Sequence, residues 1–487
     1  METVTYIRSV AVIGAGPAGT AAVKYLKAEN CFDRIAAFEQ RDEVGGVWNF
    51  TGNVSQQYQS DLTIPRTKPA ESVERPVSVR TPSGMMTHLF PSPIYDALET
   101  NIPHTLMGFT DKPFPKDCPL FPPFGTVKQY LEEYADDIRT HIRLASQVEQ
   151  VRISTSDDAH KPQWNLSYTD LSSGRKCEEC FDAVVCASGH YSDPYIPNIP
   201  GISEFDAAHP GVISHSKYYR NPRPYSDKKV IIVGNSASGI DISRQICAFT
   251  AHVIVSEKEK STTLHSDSGS IMYRPEIAEF IAENRTLRFV NGEEEIEVDH
   301  IIFCTGYQYS FPFLRDLHQP VATTGERTSH VYQHIFYYPR PTLAFLTLPQ
   351  RIVPFPIAEA QAAYIARVFS GRLTLPTFAE MKAWERGVLQ TKDSKAFHNL
   401  GYPEDVDYIN TLYHISMSAR VCETRGAGKT PPFWDEEKRW TRQQFPMIKQ
   451  AALKLGEKRC DVRCMRDLGF DFEAWKREEH LKQKVGP

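Results

Sequence analysis

Apolar positions recur along this chain in a repeated order. From Ser9 to Ile13 the run Ser-Val-Ala-Val-Ile is short, apolar and β-branched, which predicts a strand. It stops at Gly14-Ala15-Gly16-Pro17-Ala18-Gly19, and Thr20 to Ala28 then carries a helical pattern. A second strand over Arg34 to Glu39 completes a β-α-β unit with a carboxylate, Glu39, at its end. The same signals return at Lys229 to Val233, at the turn Gly234-Asn235-Ser236-Ala237-Ser238-Gly239, and at the strand His252 to Ser256. Each unit is followed later by a similar strand and small-residue turn, Val184-Val185-Cys186-Ala187-Ser188-Gly189 and Ile301-Ile302-Phe303-Cys304-Thr305-Gly306. Two nucleotide-binding units in tandem are expected.

Around these units the periodicity is less regular. Thr51 to Pro123 is rich in Pro and turn residues, with one helical stretch expected around Tyr95 to Thr100. A helix is predicted over Gly125 to Leu144, and a small sheet near Val148 to Ser154, Trp164 to Asp170 and Lys176 to Cys186. Tyr191 to Tyr225 is again Pro-rich; a β-rich segment from Val331 to Leu348, a helix from Ala358 to Ser370 and a largely helical tail follow.

Composition narrows the classes. The 487 residues are 41% apolar and 24% charged, ordinary globular usage, and the length accommodates about three domain-sized units. A formal net charge of −5 provides no basic field for nucleic acid or an anionic membrane, so an anionic ligand must be met by local charge. The ten cysteines sit mostly singly inside apolar strands, which suits thiols in a reducing, cytoplasmic compartment. No signal peptide and no run long enough for a membrane helix are visible, so a soluble protein is expected.

A strand that ends in Gly-x-Gly-x-x-Gly and opens a helix lets backbone amides approach a pyrophosphate, whose charge the helix N-terminus favours. In the first unit this assigns Gly14, Gly16, Pro17, Ala18 and Gly19 to a dinucleotide, with Glu39 accepting the ribose hydroxyl hydrogens. Gly45-Gly46-Val47-Trp48 adds close backbone approach and an aromatic beside a flat cofactor, a core aromatic being the alternative for Trp48. The second unit offers Gly234, Ser236, Ala237, Ser238 and Gly239. At its strand end Ser256 stands where the first unit has its carboxylate, with Lys258 and then Lys260 beyond it. A cation there suits a 2′-phosphate and favours NADP(H) over NAD(H); Glu257 keeps open a solvated mixed-charge turn.

These residues together resemble the flavin-containing monooxygenases. The family pattern Phe-x-Gly-x-x-x-His-x-x-x-Tyr/Phe-Lys/Arg is matched at Gly211, His215, Tyr219 and Arg220, with His209 in place of the phenylalanine. Tyr95-Asp96-Ala97-Leu98-Glu99-Thr100-Asn101, Ala187-Ser188-Gly189-His190-Tyr191-Ser192, Cys304-Thr305-Gly306-Tyr307 and Pro354-Phe355-Pro356-Ile357-Ala358-Glu359-Ala360-Gln361 are also family-like. Ser188 departs from the usual threonine, and the similarity fades after about residue 385, in a tail of unassigned role.

The resemblance implies an α/β protein with two Rossmann-like domains of three-layer type: a split FAD domain, residues 1–212 and 321–487, with an NADPH domain, 213–320, inserted. It implies NADPH- and oxygen-dependent N- or S-oxygenation through a hydroperoxyflavin, on an amine, hydroxylamine, indole, thiol or thioether; a homo-oligomer is compatible. Asn101 matches a family asparagine beside the flavin, where an uncharged amide can donate and accept; an Asx turn before Pro103 is the alternative. Val148 and Gln361 match positions near FAD. Arg220 falls either near the NADP phosphate or in the linker as a stabilising charge, and His215 is either a hinge or a structural hydrogen-bonder. A Baeyer–Villiger oxygenase is the nearest rival. Cys177-Glu178-Glu179-Cys180 raises a disulfide reductase as another, although a surface hairpin is the wrong place for that pair; a non-catalytic flavin sensor is a third. No metal site is expected.

Overall fold

Val10, Ala11 and Val12 are fully buried because Ser9–Ile13 lies between two parallel neighbours, Arg34–Phe38 and Ala183–Cys186. In this computed structural model, which describes residues 7–52, 62–80, 84, 86–154, 164–258, 271–422 and 426–485, these strands centre a seven-stranded sheet. Its order is Val331–Tyr332, Phe336–Tyr337, Leu343–Phe345, Ala183–Cys186, Ser9–Ile13, Arg34–Phe38, Ile142–Arg143.

Alternate residues of each central strand face opposite layers. Val10, Val12, Ala37 and Val185 pack on the helices Pro17–Ala28 and Pro354–Phe369. Ala11, Ala36, Phe38 and Val184 pack on a three-stranded antiparallel sheet, Ser146–Ile153, Trp164–Asp170 and Arg175–Phe181. The result is three layers, two of sheet and one of helix. A second sheet, wholly parallel, takes its strands from 213–303 in the order Ile213–His215, His300–Phe303, Val230–Val233, Val253–Ser256, Ile271–Arg274. The fold is therefore α/β with two Rossmann-like units.

Three predicted elements differ. The run 176–186 splits at Asp182, whose carboxylate accepts the N–H groups of Arg8 and Ser9 (2.9 and 2.8 Å), so Ala183–Cys186 leaves the hairpin for the central sheet. Tyr95 to Thr100 is a turn rather than a helix. Thr100 N–H donates to Pro122 O (3.0 Å) and Phe124 N–H to Leu98 O (3.1 Å), so cross-chain pairing takes the bonds a helix would need. The helix predicted over 125–144 ends at Tyr134, and the chain continues through a 3-10 segment, Asp136–His141, into the edge strand Ile142–Arg143. The tail carries the helices Phe378–Thr391, Glu404–Met417, Glu436–Lys454 and Phe472–Val485. Among the described residues no helix is long and apolar enough to cross a membrane.

Glu29 locks the helical layer. Its fully buried carboxylate meets Arg367 (3.4 Å) and Arg372 (2.9 Å) and accepts from the Ser370 hydroxyl (2.8 Å). Stripping that carboxylate leaves two buried guanidinium groups uncompensated. Glu29→Ala is expected to cost about 3–5 kcal/mol in a denaturant titration. Asp33→Ala, which breaks the exposed Arg8–Asp33 pair, should leave the midpoint unmoved.

Candidate active site

A cavity of about 910 Å³ opens where the two glycine turns approach each other. In the first, Gly14 has φ +103 and its N–H donates to Phe38 O (2.8 Å). A Cβ on Gly19 would lie 1.9 Å from Gly14 O, so only glycine lets the helix pack this closely on the strand. That contact aims the N-terminus of Pro17–Ala28 into the cavity, with Gly14, Gly16, Pro17 and Ala18 on the wall and Gly19 behind them. Gly46 faces Gly16 so closely that a Cβ on it would sit 3.0 Å from Gly16 Cα, leaving bare backbone there. Val47, Trp48 and Val148 line the adjoining wall.

Glu39 stands at the end of its strand, 4% exposed, accepting N–H groups from Ala15 (2.8 Å) and Arg41 (3.0 Å). Burial pushes its carboxyl upward and the Arg41 charge opposes that.

The second turn repeats the first. Gly234 has φ +102, its N–H donates to Ser256 O (2.9 Å), and a Cβ on Gly239 would again lie 1.9 Å from the carbonyl of the turn's first glycine. Ser256 is thus the counterpart of Phe38, and the counterpart of Glu39 is Glu257. This corrects the expectation that Ser256 replaces the carboxylate: its hydroxyl is buried and donates to Pro275 O (2.9 Å). Glu257 is itself buried and accepts from Asn235 Nδ2 (2.7 Å). Lys258 is exposed just beyond, and Lys260 lies outside the described residues. Ala237 and Ser238, at the start of helix Ala237–Cys247, line the cavity; Gly234, Ser236 and Gly239 shape the turn behind them.

Asn101 is on the cavity wall, and its amide makes no hydrogen bond among the described residues. Arg220 is not on that wall. Its guanidinium donates to the carbonyls of Gly52 (2.8 Å), Ile94 (3.0 Å), Tyr219 (2.6 Å) and Ser92 (2.8 Å), which corrects its assignment to NADP: it straps the linker to the first unit. Gln361 is corrected likewise. It is fully buried, accepting from Thr347 N–H (2.7 Å) and donating to Tyr408 Oη (2.9 Å), so it fixes Thr347, which does face the cavity. His215 is held inside the sheet edge, Nε2 donating to Gly306 O (2.9 Å) and Nδ1 accepting from Lys217 N–H (3.1 Å). Burial pushes its pKa down to about 3, and the imidazole is a neutral structural group.

Sequence reasoning missed four cavity-lining ionic residues and one partner beyond the wall. Lys217, 1% exposed, bonds Glu74 (2.7 Å), and Arg66 bonds Asp193 (2.7 Å), drawing the Pro-rich segment over the opening. Tyr95 Oη donates to Asp241, joining the cavity wall to the helix of the second unit. Proline-rich stretches carry no periodicity from which such pairs could be read. Cys177 and Cys180 lie three residues apart on an unbroken strand pair and so project to opposite faces, roughly 10 Å apart, beyond disulfide reach. Among the described residues no cluster suited to a metal ion is present.

Comparison with known proteins agrees with this layout. The chain is 32% identical over 397 residues to flavin-containing monooxygenase FMO GS-OX-like 4 of Arabidopsis thaliana, covering 79% of this chain and 81% of that one. The solved S-allyl-L-cysteine S-oxygenase of Allium sativum matches with a TM-score of 0.74 and 28% identity, over 97% of this chain and 98% of that one. Bacillithiol disulfide reductase of Bacillus cereus, at 17% identity and a TM-score of 0.51 over 75% of this chain and 99% of that one, shares the fold alone. The profile of the flavin-binding monooxygenase-like family matches residues 91–268 and 267–422. With two glycine turns opening on one cavity and a match over most of its length, the chain belongs to the flavin-binding monooxygenase-like family and is an oxidoreductase that works with FAD and NADPH.

Proposed function

We propose that this enzyme S-oxygenates a small thioether, consuming one NADPH and one O₂ per sulfoxide. One oxygen atom goes to sulfur and the other leaves as water, with NADPH supplying two electrons. The observation that carries this reading is one cavity lined by both glycine turns, with the Asn101 amide, which makes no hydrogen bond among the described residues, on its wall. The likeness to an S-oxygenase over nearly the whole chain supports sulfur as the atom oxidised.

The residues present fit both cofactors. The first turn presents bare backbone to the cavity at Gly14, Gly16 and Gly46, and Glu39 would accept from a ribose. Gly14, Gly16, Pro17, Ala18, Gly46, Val47, Trp48 and Val148 would hold FAD. Gly234, Ser236, Ala237, Ser238 and Gly239 would hold the NADPH pyrophosphate, with Lys258 near the 2′-phosphate. Bound flavin, once reduced, supplies the oxygen activation that no side chain can. The chain contributes orientation through the two helix N-termini, exclusion of water by the walls around Trp48 and Phe355, and an uncharged amide at Asn101 that donates to or accepts from oxygen without titrating.

The direct test is to reduce the purified holoenzyme with NADPH, add oxygenated buffer, and follow the flavin spectrum with S-alkyl cysteines present or absent. A long-lived species, distinct from reduced and oxidised flavin and discharged by thioether with stoichiometric sulfoxide, is expected; immediate reoxidation releasing hydrogen peroxide overturns the reading. Asn101→Asp should retain FAD yet lower sulfoxide formed per NADPH consumed. Gly239→Ala should abolish NADPH binding while FAD stays bound, and Gly19→Ala should yield protein free of FAD. Lys258→Ala should weaken NADPH more than NADH in binding titrations, and Glu257→Gln should tighten NADPH more than NADH, since a carboxylate repels a phosphate.

A further inference from the structure

The tail returns to the cavity from behind. On the helix Glu436–Lys454, Lys449 Nζ donates to Thr100 O (2.9 Å), lies 3.6 Å from the Glu99 carboxylate and sits 4.3 Å over the Phe121 ring. Arg459 Nε donates to both Glu99 oxygens (3.1 and 3.0 Å). Leu120 N–H donates to Val462 O (2.8 Å), and His104 N–H to Leu120 O (2.9 Å), so the tail also braces the far side of the same turn. Glu99 and Thr100 are thus gripped through side chain and backbone, while the next residue, Asn101, has no hydrogen bond of its own among the described residues.

The ammonium faces Glu99 and Asp241, which favour its charge, and Arg459, which opposes it; burial pushes its pKa down. Asp241 belongs to the helix that begins at the second glycine turn and accepts from Tyr95 Oη. One cluster therefore joins the tail, the turn carrying Asn101 and the NADPH unit. A hydrogen bond from an ammonium to a backbone carbonyl in so dry a place is stronger than a neutral one and fixes that peptide plane.

We propose that Lys449 is a positioning residue: by holding the Thr100 carbonyl and the Glu99 carboxylate, it sets the Asn101 amide at the cavity and so links the C-terminal tail to the oxygenation step. This rests on the role given to Asn101 in the proposed function. The tail then serves as a brace behind the cavity wall rather than padding on the FAD domain.

The test uses the full-length holoenzyme with Lys449→Met, which keeps the stem, and Lys449→Arg, which keeps charge and donors. Lys449→Met should retain FAD and NADPH consumption but raise hydrogen peroxide released per NADPH at least about threefold, because small misplacements near reacting atoms are costly. Lys449→Arg should recover at least half of that loss. Amide hydrogen exchange over 98–104, which needs no turnover, should quicken in Lys449→Met. Unchanged coupling, unchanged exchange, or an Arg variant as uncoupled as the Met variant overturns the proposal. If Lys449→Met does not fold, Glu99→Gln takes its place, with the same directions expected and the same null results overturning it. Wild-type enzyme that forms no sulfoxide would instead sink the proposed function, while the exchange comparison still decides whether Lys449 holds the turn.

Discussion

The structure depends on a contact with no side chain in it. In each nucleotide unit the third glycine of the turn presses its Cα against the carbonyl of the first, at a spacing where any Cβ would overlap oxygen. This close approach fixes the angle between strand and helix. It also brings the helix's unpaired N–H groups to one point and leaves the strand-end carboxylate beside the turn. Because the constraint recurs at Gly14/Gly19 and Gly234/Gly239, two anion-binding ends open on a shared cavity.

What keeps the two units facing each other is buried charge. Arg220 spends its guanidinium on carbonyls of the first unit. Lys217 and Glu74 pair across the cover of the cavity, and Tyr95 and Asp241 join the units at its side. Arg220, Lys217 and Tyr95 are buried and Glu74 and Asp241 partly so, and the buried groups depend on their partners to offset the cost of leaving water. The family's identifying segment at 209–220 is accordingly a splice between domains rather than a set of reacting groups.

Much of this was legible in the sequence. Period-two and period-3.6 patterns marked both β-α-β units, because buried parallel strands must be apolar whatever the fold does elsewhere. The strand end of the second unit was misread by one residue, at Ser256 instead of Glu257, since sequence spacing does not show which carbonyl the turn's first N–H will choose. Arg220 and Gln361 look like ligand contacts in the sequence, where a polar residue facing a cavity and one satisfied by buried backbone are identical. Tyr95 to Thr100 reads as helical, yet its long-range backbone bonds are with Pro122, Phe124 and Arg220, information held in the tertiary pairing alone.

The hairpin of Trp164–Asp170 and Arg175–Phe181 bears on where reducing power can go. Its two thiols point away from each other across the thickness of a sheet, one toward Tyr168 and the other toward Asn165. A hydride's worth of electrons arriving from NADPH therefore finds no dithiol wire on that hairpin by which to leave the protein. The fold is shared with a disulfide reductase, but the two thiols of this hairpin cannot close on each other.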